Sequence, residues 1–149
     1  MSDYYPNKAA RAGVDPVTYN RVLWTVRGYE DMVDKLKDLI DQSGELDGQP
    51  KSRDPGDPVA AAAMRREALA AEVKIIEDAK AVVPGYYREV VYKWVAGEKT
   101  KDPKTGRVKW RRMTLKDFPA NYIGAADVST WTYWRVVFIK YIANKKGWL

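Results

Sequence analysis

The chain has 149 residues and a net charge of +6, and it contains neither cysteine nor histidine. These two absences exclude disulfides, thiolate chemistry and histidine as a general base or metal ligand. No apolar run approaches the roughly 20 residues that span a bilayer, and the N-terminus lacks the basic segment of a secretory signal. We therefore expect a cytoplasmic protein that is not an enzyme and needs no metal or cofactor.

Charge is divided unevenly along the chain. Residues 1–83 carry a net charge of −3, whereas residues 84–149 carry +9 and five of the six tryptophans. A localised positive field attracts polyanions, and nucleic acid is the polyanion that basic, aromatic-rich segments most often bind. The sequence thus predicts two regions, an acidic helical one for oligomerisation or partner binding and a basic one for DNA binding.

The acidic half begins with a long amphipathic pattern. Asp15 and Pro16 form a typical helix start, a capping residue followed by a first-turn proline. Apolar residues then alternate in spacings of three and four, at Tyr19, Val22, Val26, Tyr29, Val33, Leu36 and Ile40. This spacing predicts one helix up to about Ser43-Gly44, with a seam for another helix.

A connector rich in proline and glycine, residues 44–58, separates this helix from a second one that starts at Asp57-Pro58 and ends near Val83. The second helix also carries heptad-spaced apolar residues, so we predict a helical hairpin. The apolar surface that the hairpin leaves uncovered is expected to pack against a second copy of the chain, which gives a homodimer. The aspartates at 31, 34, 38 and 41 line one helix side and are best explained as a solvated face, with a basic surface of RNA polymerase as a candidate partner.

The basic half is predicted to contain shorter elements. A helix spans about Tyr86 to Ala96, and turn residues at 102–106 predict a small hairpin or extended loop over 97–112. Thr114 is expected to cap a short helix that Pro119 kinks or restarts. A last helix is expected to run from a cap at Ser129 to about Lys146, closed by Gly147.

Seven cations in 14 residues surround the predicted hairpin, against the single acid Asp102. They are Lys99, Lys101, Lys104, Arg107, Lys109, Arg111 and Arg112. Dense cations with few acids nearby favour a loop that follows DNA phosphates, with Trp110 packing under it or stacking. The alternative is a solvated, mobile loop.

The last helix has two contrasting sides. Its aromatic side (Trp131, Trp134, Phe138, Tyr141 and Ile142) has helical spacing and is predicted to be core. Its other side carries hydroxyls and cations that could reach base edges in a major groove. The residues assigned there to DNA are Ser129, Thr130, Thr132, Tyr133, Arg135 and Lys140. An ordinary terminal helix is the alternative.

The segment 128–135 (VSTWTYWR) resembles the V-S-x-x-T-x-x-R opening of recognition helices in sigma-region-4-like helix-turn-helix domains. The order of elements is similar to that of RinA/ArpU-type phage late transcription activators, including the opening Asp57-Pro58-Val59-Ala60 and Ile76-Glu77. The resemblance implies that Ser129, Thr132 and Arg135 lie at or near DNA, in a bacterial host cell. Pro119 and the extra linker at 125–127 depart from the tight two-helix motif.

We therefore predict an all-α protein with a long N-terminal helical hairpin (1–83) and a C-terminal helix-turn-helix with a small basic β-hairpin or loop (84–149). Its expected function is sequence-specific binding to double-stranded DNA and activation of phage late genes, as a homodimer. One alternative is a phage small terminase subunit, a DNA-recognising ring. Another is an adaptor whose basic half binds an acidic protein.

Overall fold

The structure, a computed structural model, describes residues 13–45 (backbone only for 42–45) and 58–149. Most of the predicted connector, with Asp57, lies outside these residues. The described helices are α1 (Pro16–Arg27), α2 (Tyr29–Glu45), α3 (Pro58–Val82), α4 (Gly85–Ala96), α5 (Ala120–Ile123) and α6 (Val128–Lys145). A 3-10 turn spans Leu115–Asp117, and strands β1 (Glu98–Lys101) and β2 (Val108–Arg111) form one antiparallel pair. The predicted mainly helical fold with a small hairpin is confirmed.

The chain forms two compact units. The first contains residues 13–27 and 77–149, and the second contains residues 28–76. The charge-based boundary after residue 83 is therefore not where the compact units divide. Whether oligomerisation and DNA binding divide between 1–83 and 84–149 stays a prediction.

The long first helix predicted from the heptads is interrupted at Gly28, which lies in a turn between α1 and α2. The prediction of one continuous helix was therefore wrong, and its seam is divided between the two units. Val22 and Val26 are buried in the first unit, whereas Val33 and Leu36 are only half-buried in the second.

The start of α1 follows the predicted capping chemistry. The Asp15 carboxylate accepts hydrogen bonds from the backbone amide and the hydroxyl of Thr18, both at 2.8 Å. These bonds, the amide first, lower the pKa of Asp15. A negative charge is thereby held at the N-terminus of the helix, where the helix dipole favours it.

The core of the first unit lies where α1, α4 and α6 contact one another. Its largest fully buried side chains are aromatic or branched, and include Trp131, Phe138, Ile139, Ile142 and Val91. The predicted aromatic side of α6 is thus buried at Trp131, Phe138 and Ile142, while Trp134 and Tyr141 are half-buried. Burying a large side chain of this kind stabilises a fold by about 1.5–3 kcal/mol.

A pair of tyrosines attaches the one-turn helix α5 to α4. The rings of Tyr86 and Tyr122 stack with centroids 4.3 Å apart. The Tyr86 hydroxyl donates to the Tyr122 carbonyl at 2.6 Å, and the Tyr122 hydroxyl donates to the Tyr86 carbonyl. The Trp131 indole N–H donates to the Ile123 carbonyl at 2.8 Å, which attaches α5 to α6 as well.

The ends of α6 agree only partly with the prediction. The helix begins at Val128 with Asp127 as its N-cap, so the expected cap at Ser129 was wrong and Ser129 lies within the first turn. At the other end Gly147 adopts φ +73, and the Trp148 amide donates to the Ala143 carbonyl at 2.8 Å. This is the glycine-terminated helix end that the sequence predicts.

The second unit contains α2 and α3 up to Ile76, and few of its side chains are buried. Among the side chains described in this unit, only Val73 and Ile76 are buried, whereas Ile40 is 51% exposed and Met64 is 71% exposed.

No helix in the described part of the chain is long and apolar enough to cross a membrane.

Candidate nucleic-acid interface

The basic hairpin (residues 98–111) has two chemically different faces. Lys99 pairs with Trp110 and Lys101 pairs with Val108, so these four side chains share one face. The other face carries the pairs Glu98 with Arg111 and Thr100 with Lys109. Of the two possibilities predicted for residues 97–112, a small hairpin or an extended loop, the hairpin is therefore the one that forms.

The loop of the hairpin is closed by its own hydrogen bonds. The Asp102 amide donates to the Arg107 carbonyl and the Gly106 amide to the Asp102 carbonyl, both at 2.8 Å. The Asp102 carboxylate accepts the Lys104 amide at 2.8 Å, which lowers the pKa of Asp102. Because this carboxylate is engaged by the backbone and ionised at neutral pH, it orders the loop that displays Lys104 and Arg107.

The base of the hairpin is fixed to α1 through Arg27. The Arg27 Nε donates to the Ala96 carbonyl at 2.7 Å, and this bond is buried. Its guanidinium carbon lies 4.8 Å from the ring centroid of Trp24 and 5.3 Å from that of Trp110. The guanidinium thus lies close to both indole rings, and the hairpin is held at a defined position in the first unit.

Arg111 also stabilises the base of the hairpin, through two ion pairs. Its guanidinium bonds Glu98 at 2.6 Å and Asp117 at 3.2 Å. Asp117 also accepts the Thr114 amide at 2.7 Å, so Thr114 is the helix cap that the sequence predicts. These bonds, from the Thr114 amide first and Arg111 second, lower the pKa of Asp117. Because two carboxylates engage Arg111, a DNA phosphate would have to compete with them, and the DNA contact predicted for this residue stays a prediction.

Four cations at the outer part of the hairpin are exposed and make no ion pair with any residue that the structure describes. They are Lys101, Lys104, Arg107 and Lys109. Of the remaining predicted cations, the Lys99 ammonium lies 5.9 Å from the Trp110 centroid, and Arg112 is exposed. Cations on an ordered loop are suited to phosphate contacts when, as here, no carboxylate among the described residues pairs with them.

The N-terminal edge of α6 is open over its first turns. Val128, Ser129 and Tyr133 are exposed, while Thr130 and Thr132 are half-buried. Lys140 is also exposed, but it lies two turns further along the helix, with its side chain close to Gly13. The hydroxyl-bearing residues predicted for DNA are thus grouped on one accessible edge, and Lys140 is separate from them.

Arg135 does not share this edge. Its side chain is buried, with 3% of the residue exposed, and its guanidinium carbon lies 4.2 Å from the ring centroid of Trp94. A guanidinium enclosed in this way cannot present its donors to a base edge. The base-reading role that the sequence pattern predicts for Arg135 is therefore corrected to a role in the core.

A groove of about 730 Å³ lies beside the α6 edge. Its walls come from α4, α5, α6, the 3-10 turn and residues that directly follow the hairpin, and its apolar lining includes Leu115, Phe118 and Ile123. The charged residues in its lining are all cations, namely Arg112, Lys116 and Arg135. Two of these cations, Arg112 and Lys116, are exposed, whereas Arg135 is buried.

Sequence reasoning did not identify Arg27 and Trp94 as determinants of the site. Arg27 positions the hairpin, and the Trp94 ring holds Arg135. The signal for Arg27 in the sequence was its position directly after Val26, a residue of the predicted seam. Nothing in the sequence pairs it with Trp110, which is 83 positions away.

Comparison with protein-family models, with curated proteins and with solved structures gave no match to this chain. The site is therefore interpreted from its own geometry. The described residues include no group of three or more acidic side chains placed to hold a metal ion.

Proposed function

We propose that this protein binds double-stranded DNA and regulates transcription, as the resemblance to phage late activators implies. The observation that carries the proposal is the ordered hairpin with four cations that no described acid neutralises. These cations would contact phosphates and position the protein, because phosphate contacts supply affinity without reading sequence.

In this proposal the open edge of α6 supplies sequence preference. Ser129 and Thr132 offer hydroxyls, and Tyr133 offers an exposed ring, beside a groove whose charged lining residues are cations. Hydroxyls bond several bases, so the expected discrimination is weaker than that of a bidentate arginine. Contact with RNA polymerase is a further part of the proposal and would add selectivity that a modest DNA interface lacks.

The test is fluorescence anisotropy with a labelled duplex over a salt series. The double variant Lys104→Ala with Arg107→Ala is expected to weaken binding to all duplexes and to reduce the slope of log affinity against log salt by about 1.8, close to 0.9 per phosphate contact.

The matched control is Lys35→Ala with Lys37→Ala, which removes two exposed lysines from α2 in the second unit. It should leave the slope unchanged. Equal slopes for the hairpin variant and the wild type would contradict the proposal, and absence of duplex binding by the wild type would favour the adaptor alternative.

A further inference from the structure

Indole rings and cations lie next to one another in two runs in the first unit. One run is built around Trp148, whose ring centroid lies 5.7 Å from the Arg21 guanidinium carbon and 5.6 Å from the Lys146 ammonium. The other is the arrangement at the hairpin base, in which Arg27 lies close to the rings of Trp24 and Trp110.

The two runs meet on α1. Arg21 and Trp24 are three residues apart, so they are neighbours on the same side of the helix. Together the runs form a surface that we call the cation–indole band. Its members are Lys146, Trp148, Arg21, Trp24, Arg27, Trp110 and Lys99.

Some residues of the band are exposed and do not belong to the hydrophobic core. Trp24 remains 55% exposed although its ring lies against Arg27. Arg21 is also exposed, and it makes no ion pair with the residues that the structure describes. An indole that is oriented by a buried cation and open to solvent offers a flat apolar surface whose rotational freedom is already restricted.

This chemistry fits one class of ligand. Proteins that bind single strands place bases on aromatic rings and cations along the backbone, and each stacked base contributes substantially to affinity. Bases within a duplex are stacked on each other and cannot offer their faces to an indole. We propose that the cation–indole band is a second nucleic-acid site that binds an unpaired strand, with Trp24 as its main stacking ring and Arg21 as a phosphate contact.

The proposal does not depend on duplex binding by the hairpin tip. Lys101, Lys104, Arg107 and Lys109 are not members of the band, and Trp24 and Arg21 belong to α1. A variant of the band and a variant of the tip therefore give separate readouts.

The experiment measures binding of a labelled oligothymidine of about 15 nucleotides, a length within the range of single-strand site sizes. Trp24→Leu is expected to lower its affinity about 5- to 100-fold, the loss typical of one stacked base, and Trp24→Phe should retain most of it. Circular dichroism verifies that both variants are folded, and duplex affinity should be unchanged in Trp24→Phe, which keeps an aromatic ring beside Arg27.

Val17→Ala provides the matched control, because Val17 is another exposed apolar residue of α1, 59% exposed, but lies outside the band. It should leave oligothymidine affinity intact. The proposal is overturned if the wild type does not bind oligothymidine, if Trp24→Leu binds as the wild type does, or if Val17→Ala loses as much affinity.

Discussion

Arg135 illustrates how a cation can be used as a core residue. Burying a guanidinium is costly unless its environment compensates for the lost hydration. Here the face of Trp94 lies 4.2 Å from the guanidinium carbon, close enough for a desolvated cation–π interaction. The side chain thereby joins α6 to α4 at a point where an aliphatic residue would only pack.

The burial of Arg135 predicts a stability defect. Arg135→Ala is expected to lower the free energy of unfolding by about 2 kcal/mol or more, since it removes the interaction and leaves a cavity. Lys140→Ala, at an exposed position of the same helix, should change it by less than about 0.5 kcal/mol. Urea unfolding of both variants measures the difference, and equal stabilities would contradict the core role.

The placement of Arg135 could have been predicted from helical spacing, which the motif obscured. Arg135 follows the buried Trp131 by four residues and precedes the buried Phe138 by three, so it lies on their side of the helix. The V-S-x-x-T-x-x-R pattern specifies residue types, but it does not specify which side of the helix faces the core. By contrast, Ser129 is exposed and Thr132 is half-buried, which agrees both with the motif and with the helical spacing of the buried residues.

At the level of elements, the hairpin depends on a close backbone approach at Gly97. This glycine adopts φ +88, and a Cβ at this position would lie 2.6 Å from the Arg111 carbonyl oxygen. A side chain therefore meets both an unfavourable backbone conformation and an atom of the opposing strand that cannot move independently.

Gly97→Ala is consequently expected to destabilise the protein by about 1–3 kcal/mol. Gly85→Ala is the natural comparison, because nothing lies within 4 Å of a Cβ there, and alanine should be neutral or slightly stabilising. Urea unfolding gives the stabilities, and amide exchange of residues 98–111 shows whether the loss is localised in the hairpin. If both substitutions have the same effect, the close approach is not important.

The types of the secondary-structure elements were more predictable than the positions at which a helix is interrupted. Turn chemistry at 102–106 and alternation after it specify the hairpin locally, without reference to the rest of the chain. The interruption at Gly28 was not predictable in this way, because the heptad pattern continues through it and a single glycine is tolerated within helices. Only the tertiary contacts show that Val26 and Val33 belong to different units.

For the whole molecule, the second unit is a place where apolar side chains remain open on two neighbouring helices. Ile40 and Met64 are exposed, and a pocket of about 550 Å³ is lined by side chains of α2 and α3 that include Leu39, Ala68 and Leu69. The charge pattern alone could not reveal this apolar surface, since the acidic residues of α2 are also typical of a helix that is simply well solvated.

We expect this surface to form the homodimer predicted from the heptads. Ile40→Glu should convert the dimer into a monomer, because it places a charge in a newly buried apolar contact. Val17→Glu, at a position 59% exposed in the first unit, should leave the mass unchanged. Light scattering after size-exclusion chromatography measures both. A wild-type monomer would contradict the expectation, and a larger ring would favour the terminase alternative.

The paired tyrosines of α4 and α5 have a consequence at alkaline pH. Each hydroxyl can donate to the other residue's carbonyl only while it keeps its proton, and burial of Tyr86, followed by the neighbouring Tyr122, raises the Tyr86 pKa above its usual value of 10.0. Because the folded pKa is the higher one, this stabilisation is complete below the ordinary tyrosine pKa and disappears as pH rises through the raised value. Base should therefore weaken the attachment of α5 to α4, whereas the bond from the Trp131 indole to the Ile123 carbonyl is not affected.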